Sequence, residues 1–326
     1  MRVLVTGAAG YIGSVVTEQL TVQGYEVMAL DNLQNGHRTA VHPDAMFVQG
    51  DLLDSHWLRS FLAAHPIEAV VHLAAEALID ESTRDPGRFF RVNVCGGLNL
   101  LEAMTRARVQ RMVFSSTAAV YGEPEEVPIS EDAHLEPVNS YGESKLAFER
   151  ILECYRRAYG LNYVSLRYFN ACGATERYGE FHVPETHLIP VLMEVALGQR
   201  EAVHLYGTDY DTPDGVCVRD YIHVIDIAQA HVLALSEIDR IGARAYNMGN
   251  GAGYSNWEII ETVRQVTGRE ILVRPAQRRP GDVARLVASS ERIRQELGWE
   301  PRYPDLATMV KTAWAWRLKH PKGYER

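Results

Sequence analysis

A glycine-rich turn near the N terminus constrains this chain more than any other feature. The apolar run Arg2-Val3-Leu4-Val5 leads into Gly7-Ala8-Ala9-Gly10-Tyr11-Ile12-Gly13, and a helical pattern begins at about Ile12. A strand that feeds a helix through GxxGxxG is the first half of a βαβ unit. Glycines let the backbone turn tightly and approach a pyrophosphate, and the free N–H groups of the helix N terminus, at the positive end of its dipole, attract that anion. On this turn alone, a purely structural role stays open.

The alternation continues. Glu26-Val27-Met28-Ala29-Leu30, Met46-Phe47-Val48, Ala69-Val70-Val71-His72-Leu73, Arg111-Met112-Val113-Phe114 and Tyr163-Val164-Ser165-Leu166-Arg167 read as strands, with helices around Val94 to Thr105 and after Tyr141. Continuous apolar strands separated by helices predict an α/β chain with a Rossmann-type, doubly wound parallel sheet covered on both faces. Beyond Asn170 the chain becomes richer in Gly, Pro and His, with shorter regular segments. The expected division is a cofactor-binding domain over 1–170, with 221–245 packing back onto it. A smaller α/β substrate lobe is expected over 171–220 and 246–326.

Composition narrows the partners. The 326 residues are 46% hydrophobic and 23% charged, ordinary for a chain that folds throughout. A formal net charge of −9 disfavours nucleic acid and anionic membrane, so a phosphate ligand must find a local cationic pocket. The four cysteines, Cys95, Cys154, Cys172 and Cys217, form no CxxC pair, which predicts neither a disulfide framework nor a metal site and suits a reducing compartment. MRVLVTGAAG runs directly into the first strand without a leader, and no stretch reaches membrane-spanning length. The expected location is the cytoplasm.

Asp31-Asn32 ends the second strand, at the distance from the glycines where a carboxylate accepts the ribose hydroxyls of adenosine. An acid there repels a 2′-phosphate and no arginine follows at once, which favours NAD over NADP. Gly50-Asp51-Leu52 closes the third strand, where Asp51 and Leu52 can meet the adenine. Tyr141 and Lys145 stand four apart, on one face of a helix. A phenol with its usual pKa of ~10 is a weak base at neutral pH unless a cation favours the phenolate, and Lys145 can be that cation. YxxxK also arises by chance. It gains weight from Ser115-Ser116-Thr117 upstream, at the C-terminal end of a strand, where such sheets bind ligands and three hydroxyls can serve the reacting oxygen.

The blocks GAAGYIGS, LDNLQNG, VVHLAA, FSSTAAVYG, YGESK, RYFNACGA, HLIP, DTPDGVCVRDYIHV, YNMGNG and RRPGD, with the closing AWRLKHPKGY, cover nearly the whole chain. Together they resemble the UDP-glucose 4-epimerases, a branch of the extended short-chain dehydrogenases/reductases. That resemblance implies an isomerase with tightly bound NAD, a place in galactose metabolism and a homodimer. It makes Tyr141 the general base and acid, Lys145 its electrostatic partner and a ribose ligand, and Thr117 the hydroxyl on the substrate O4. NAD would be held by Gly7, Gly10, Tyr11, Ile12, Gly13, Asp31, Asn32, Asp51, Leu52, Leu73, Ala74, Ala75, Tyr141 and Lys145, with Phe169 bordering the nicotinamide. Asn170, His187, Leu188, Arg219, Arg279 and Asp282 would hold the UDP group, and Tyr206 would lie beside uracil.

The chemistry of two of these residues agrees, since a diphosphate suits the fixed fork of an arginine, although Arg219 could instead pair with Asp220. The run His72-Leu73-Ala74-Ala75-Glu76-Ala77 puts alanine where some epimerases carry a lysine, and it also resembles sugar-nucleotide dehydratases. A 4,6-dehydratase is therefore the nearest alternative. Dehydratases carry an Asp-Glu pair after the active-site Thr, however, where this chain has Ala118-Ala119. A UDP-uronate decarboxylase usually has an acid in the same loop. An NAD-binding sensor without chemistry is the alternative from another class.

Overall fold

Strands that are apolar at every position must be covered on both faces, and the structure supplies two covers. The computed structural model describes residues 1–279 and 281–324. In chain order come β1 (Arg2–Thr6), α1 (Tyr11–Val22), β2 (Glu26–Asp31), β3 (Met46–Gln49), α2 (Ser55–Ala64), β4 (Ala69–His72), the short α3 (Ile79–Arg84) and α4 (Pro86–Phe89), α5 (Gly97–Ala107), β5 (Arg111–Thr117), α6 (Ser140–Tyr159) and β6 (Asn162–Tyr168). Next are β7 (Asn170–Cys172), α7 (Leu188–Ala196), β8 (Val203–Tyr206), β9 (Val218–Arg219), β10 (Tyr221–His223), α8 (Val224–Ser236), α9 (Ile238–Ile241) and β11 (Ala243–Met248). The chain then runs through β12 (Tyr254–Ser255), α10 (Asn256–Thr267), β13 (Val273–Ala276), β14 (Arg285–Leu286), α11 (Glu291–Leu297) and α12 (Leu306–Lys319).

Seven strands form one parallel sheet in the order β11-β6-β5-β4-β1-β2-β3. Successive side chains of a strand point to opposite faces. Val3 and Val5 of β1 therefore join Val27 and Ala29 of β2 in a core with α1 and α8. Leu4 joins Met28 and Leu30 in a second core with α2, α5 and α6. The chain leaves β1 for β2 on one side and later returns to β4 on the other, so a crevice opens beyond the C-terminal ends of these strands.

The pattern from Val94 to Thr105 predicts one helix, but the regular helix α5 starts only at Gly97, and Phe90–Gly96 is wound as a wider π-helical stretch. The widening coincides with an inward-turned Asn93, 3% exposed, whose amide bonds the backbone of Glu76 and the hydroxyl of Ser144.

In the second half, α7, α10, α12 and β8 enclose a third core that includes Ile189, Leu192, Leu205, Ile259, Val263, Met309 and Val310. Small sheets cross it: β7 with β10, β8 with β13, and β9 between β12 and β14. Within 221–245, α8 packs on α1 and β11 begins as the edge of the main sheet beside β6. Among the described residues, no helix is long and apolar enough to cross a membrane.

Candidate active site

Gly7 adopts φ +70°, the left-handed region, and an added Cβ would stand 2.6 Å from the Ala74 nitrogen. A Cβ on Gly13 would meet the Gly7 carbonyl oxygen at 2.0 Å. The turn is thus pressed between the N terminus of α1 and the Leu73-Ala74-Ala75 segment after β4, leaving a bare backbone cradle of the kind a pyrophosphate occupies. Tyr11 and Ile12 open α1, and the Tyr11 hydroxyl donates to the Gly173 carbonyl at 2.7 Å.

Asp31, 8% exposed at the end of β2, accepts the Ala9 N–H at 3.0 Å and the Leu33 N–H at 2.8 Å, one on each oxygen. Burial raises its carboxyl and these bonds oppose the rise. Each oxygen keeps a further lone pair for a ribose hydroxyl. Asn32 donates to Asp51 at 3.2 Å, which joins the two segments expected around adenosine, and Leu52 is buried in the second core.

Asn139 caps α6 by accepting the Gly142 N–H at 2.8 Å. The cap places Tyr141 in the first turn and Lys145 one turn later. Gly142 lets the helix close on the loop after β5, since a Cβ there would stand 2.5 Å from the Ala119 carbonyl oxygen. The approach sets Tyr141 near the Thr117 hydroxyl at the end of β5. Burial pushes the Tyr141 phenol up to about 12, against the pull of the nearby Thr117 hydroxyl. Lys145, 2% exposed, donates to the Ser115 carbonyl at 2.9 Å and lies 5.9 Å from the Tyr141 ring centre. Burial lowers its ammonium to about 7, opposed by Glu149.

The three hydroxyls read from Ser115-Ser116-Thr117 are not equivalent. Ser115 is hydrogen-bonded to Tyr168, and Ser116 donates to Glu149 at 2.5 Å, so Thr117 alone is left for a ligand. Side chains point alternately along β5, which turns Ser116 away from its neighbours.

Sequence reasoning did not find the groups that brace this centre. Arg167 and Glu149, 4% and 8% exposed, form a bidentate pair at 3.0 and 2.5 Å. Arg167 also donates to the Tyr121 hydroxyl, which donates in turn to Asn247. Glu76, 4% exposed, accepts two hydrogen bonds from Nη2 of Arg88 at 2.8 Å, and Asn93 ties its backbone to Ser144, whose hydroxyl donates to the Tyr141 carbonyl. A buried acid beside Ala77 was the signal available. Its partners lie 12 and 17 residues away, beyond any local pattern.

In the second half of the chain, Arg219 and Arg279 converge on Asp282, at 3.8 and 3.0 Å. Arg219 does not pair with Asp220. That carboxylate is buried and accepts the N–H groups of Asn250, Gly251 and Ala288 instead. The Arg279 guanidinium lies 4.8 Å from the Tyr206 ring centre and 3.6 Å from Asp80 of α3. One cluster therefore offers two guanidinium forks beside an exposed aromatic face. His187 is the N-cap residue of α7, with its N–H donated to Glu185 at 3.0 Å, and Leu188 is the first residue of the helix. Phe169, 7% exposed, and Asn170 connect β6 to β7, and the Asn170 N–H donates to the Asp220 carbonyl.

A family model described as the NAD dependent epimerase/dehydratase family matches residues 3–249. A UDP-glucose 4-epimerase of Halalkalibacterium halodurans is 50% identical over 99% of this chain and 98% of its own length. Among solved structures, a UDP-glucose 4-epimerase from Brucella ovis in complex with NAD is 45% identical with a TM-score of 0.92, covering 96% of this chain and 97% of its own. One from Bifidobacterium longum in complex with NAD+ and UDP is 36% identical with a TM-score of 0.96, covering 99% and 100%. The glycine cradle, the strand-end acid and the tyrosine-lysine helix sit on a fold shared end to end with these enzymes, and the chain belongs to the NAD dependent epimerase/dehydratase family.

Proposed function

We infer that this chain is an NAD-dependent UDP-glucose 4-epimerase, an isomerase that interconverts UDP-glucose and UDP-galactose through a transient 4-keto sugar. The observation that carries the reading is Tyr141 with the buried Lys145 5.9 Å from its ring centre, near Thr117 at the end of β5, with only the methyl groups of Ala118 and Ala119 following. The relatives and solved neighbours support it over the full chain length.

NAD fits the cradle of Gly7, Gly10 and Gly13, with Tyr11, Ile12, Leu73, Ala74 and Ala75 around the diphosphate. Asp31 and Asn32 take the ribose, Asp51 and Leu52 the adenine, and Phe169 the nicotinamide side. When bound, NAD supplies the acceptor for the hydride leaving C4 and the donor for its return. Tyr141 removes the proton of the 4-hydroxyl, holds it, and gives it back. A phenol raised to about 12 is protonated at neutral pH, so the reaction needs the ammonium of Lys145 to favour the phenolate. Thr117 fixes the reacting oxygen. Arg219 and Arg279 grip the diphosphate, with Asn170, His187, Leu188 and Asp282 around them and Tyr206 against uracil. A firm hold on UDP with a loose hold on the hexose lets the ketone turn over without escaping.

Elimination of water across C5 and C6 would need acid/base groups where Ala118 and Ala119 supply methyls, which disfavours a 4,6-dehydratase. The test is Tyr141→Phe. Turnover should fall by roughly 10²–10⁴-fold while UDP affinity is kept. Near-normal turnover in that variant would refute the assignment.

The same reading extends to a cytoplasmic enzyme of galactose metabolism, with a nucleotide domain over 1–170 and 221–245 and a sugar-nucleotide lobe in the remainder. Four free cysteines, two of them exposed, suit a reducing compartment. It also includes a homodimer built on helices of the first domain. The C-terminal end of α6 carries the half-buried Tyr155 and the exposed Tyr159, with ring centres 5.3 Å apart, and sedimentation tests the dimer directly.

A further inference from the structure

The segment between β7 and α7 contains Glu180, His182, Glu185 and His187, four nitrogen and oxygen ligands within eight residues. The fold gathers one ligand atom from each so that all lie within 4.8 Å of one another. The Glu180 and Glu185 side chains are 9% and 3% exposed.

The separations between these atoms are informative. His182 Nδ1 stands 3.5 Å from Glu180 Oε1 and 3.5 Å from Glu185 Oε2, and His187 Nδ1 stands 3.4 Å from Glu185 Oε1. These exceed good N–H···O distances. The His182 nitrogen, sealed from solvent, has no hydrogen-bond partner. Ligands held at about 2.0–2.1 Å around a tetrahedral zinc ion lie roughly 3.3 Å apart, close to those three separations. His187 Nδ1 to Glu180 Oε1, at 2.7 Å, must open by roughly 0.6 Å, and Glu185, which faces His182 with Oε2 and His187 with Oε1, must turn one of these oxygens to the ion.

Two buried carboxylates meet the two imidazoles, and the neighbouring guanidinium groups are engaged elsewhere. Arg317 pairs with Glu194, and Arg200 pairs with Glu194 and donates to the main-chain carbonyl of Glu185. The Glu185 carboxylate is aimed by the N–H groups of His182, Thr186 and His187, at 3.3, 2.9 and 3.0 Å, the outer bonding that orients a metal ligand.

We propose that Glu180, His182, Glu185 and His187 bind one divalent transition-metal ion of the zinc class. Two imidazoles with two carboxylates suit zinc and its neighbours, and not magnesium or calcium, which take oxygen ligands. Four protein ligands fill a tetrahedron, so the ion is structural and leaves no open position for substrate. It pins the loop that follows Gly173, to which Tyr11 of the glycine turn is hydrogen-bonded, at the N terminus of α7. His187 reaches the metal through Nδ1, which leaves Nε2 for a ligand. The proposal stands apart from the epimerase reading because its test measures metal and not turnover.

Purified untagged protein, stripped with a chelator, is titrated with zinc by calorimetry and then loaded with cobalt. One zinc per chain with Kd below about 1 μM is expected, together with the visible spectrum of tetrahedral cobalt. His182→Gln and Glu180→Gln should each weaken binding at least about 10-fold. Because the His182 ring nitrogen makes no hydrogen bond, His182→Gln should stay folded and report even if Glu180→Gln does not. No saturable zinc binding, undiminished binding in His182→Gln, or an octahedral cobalt spectrum would overturn the proposal.

Discussion

Replacing Lys145 with methionine separates what its ammonium does for stability from what it does for chemistry. The side chain is 2% exposed, and burial lowers its pKa from 10.5 to about 7. At 1.36 kcal/mol per unit, carrying the charge in the folded state costs about 5 kcal/mol at low pH. The folded pKa lies below the unfolded one, so between them the folded state binds fewer protons. The cost is therefore full below about pH 7, shrinks as pH rises, and vanishes above the unfolded value. Methionine removes this cost but leaves the Ser115 carbonyl without its 2.9 Å hydrogen bond, a loss of about 1–3 kcal/mol. Lys145→Met should thus stabilise the NAD-free protein by about 2–4 kcal/mol near pH 7, and this gain should disappear towards pH 10. Urea denaturation of both proteins between about pH 6 and pH 10 measures it. An unchanged pH slope in the variant, or a variant less stable at neutral pH, would refute the reasoning. Turnover should collapse in the same variant, since the Tyr141 phenol then loses its cation.

Gly13→Ala places a methyl 2.0 Å from the Gly7 carbonyl oxygen, so the turn must open; the purified variant should carry little or no NAD, measured by absorbance after release. Arg279→Ala and Arg219→Ala each remove a guanidinium from the proposed diphosphate site, and calorimetry with UDP should show binding weakened by about 1.5–3 kcal/mol, or roughly 10- to 150-fold. Equal UDP affinity in both variants would remove these arginines from the site.

Local patterns were legible in the sequence and long-range pairings were not. The glycine turn, the strand-end Asp31 and the Tyr141-Lys145 spacing lie within a few residues of their own strand or helix, so periodicity and turn chemistry reveal them. The parallel sheet follows from strands that are apolar throughout. By contrast, Ser115 and Ser116 look equivalent to Thr117 until Tyr168 and Glu149 arrive from 53 and 33 residues away. Arg219 is adjacent to Asp220 in sequence yet turns to Asp282, because Asp220 is committed to three backbone N–H groups. The π-helical stretch before α5 accompanies Asn93 reaching Glu76 and Ser144, contacts that no helical periodicity encodes. The Glu180 to His187 run was visible as spacing, but attention to cysteines alone predicts no metal there.

Epimerisation at C4 involves no net redox change. Its most direct test incubates purified protein with UDP-galactose, without added reductant, and follows the nucleotide sugars by chromatography. The expected result is a stable mixture of UDP-galactose and UDP-glucose, reached equally from either sugar. A keto-deoxy product formed by loss of water, or no conversion at all, would contradict it.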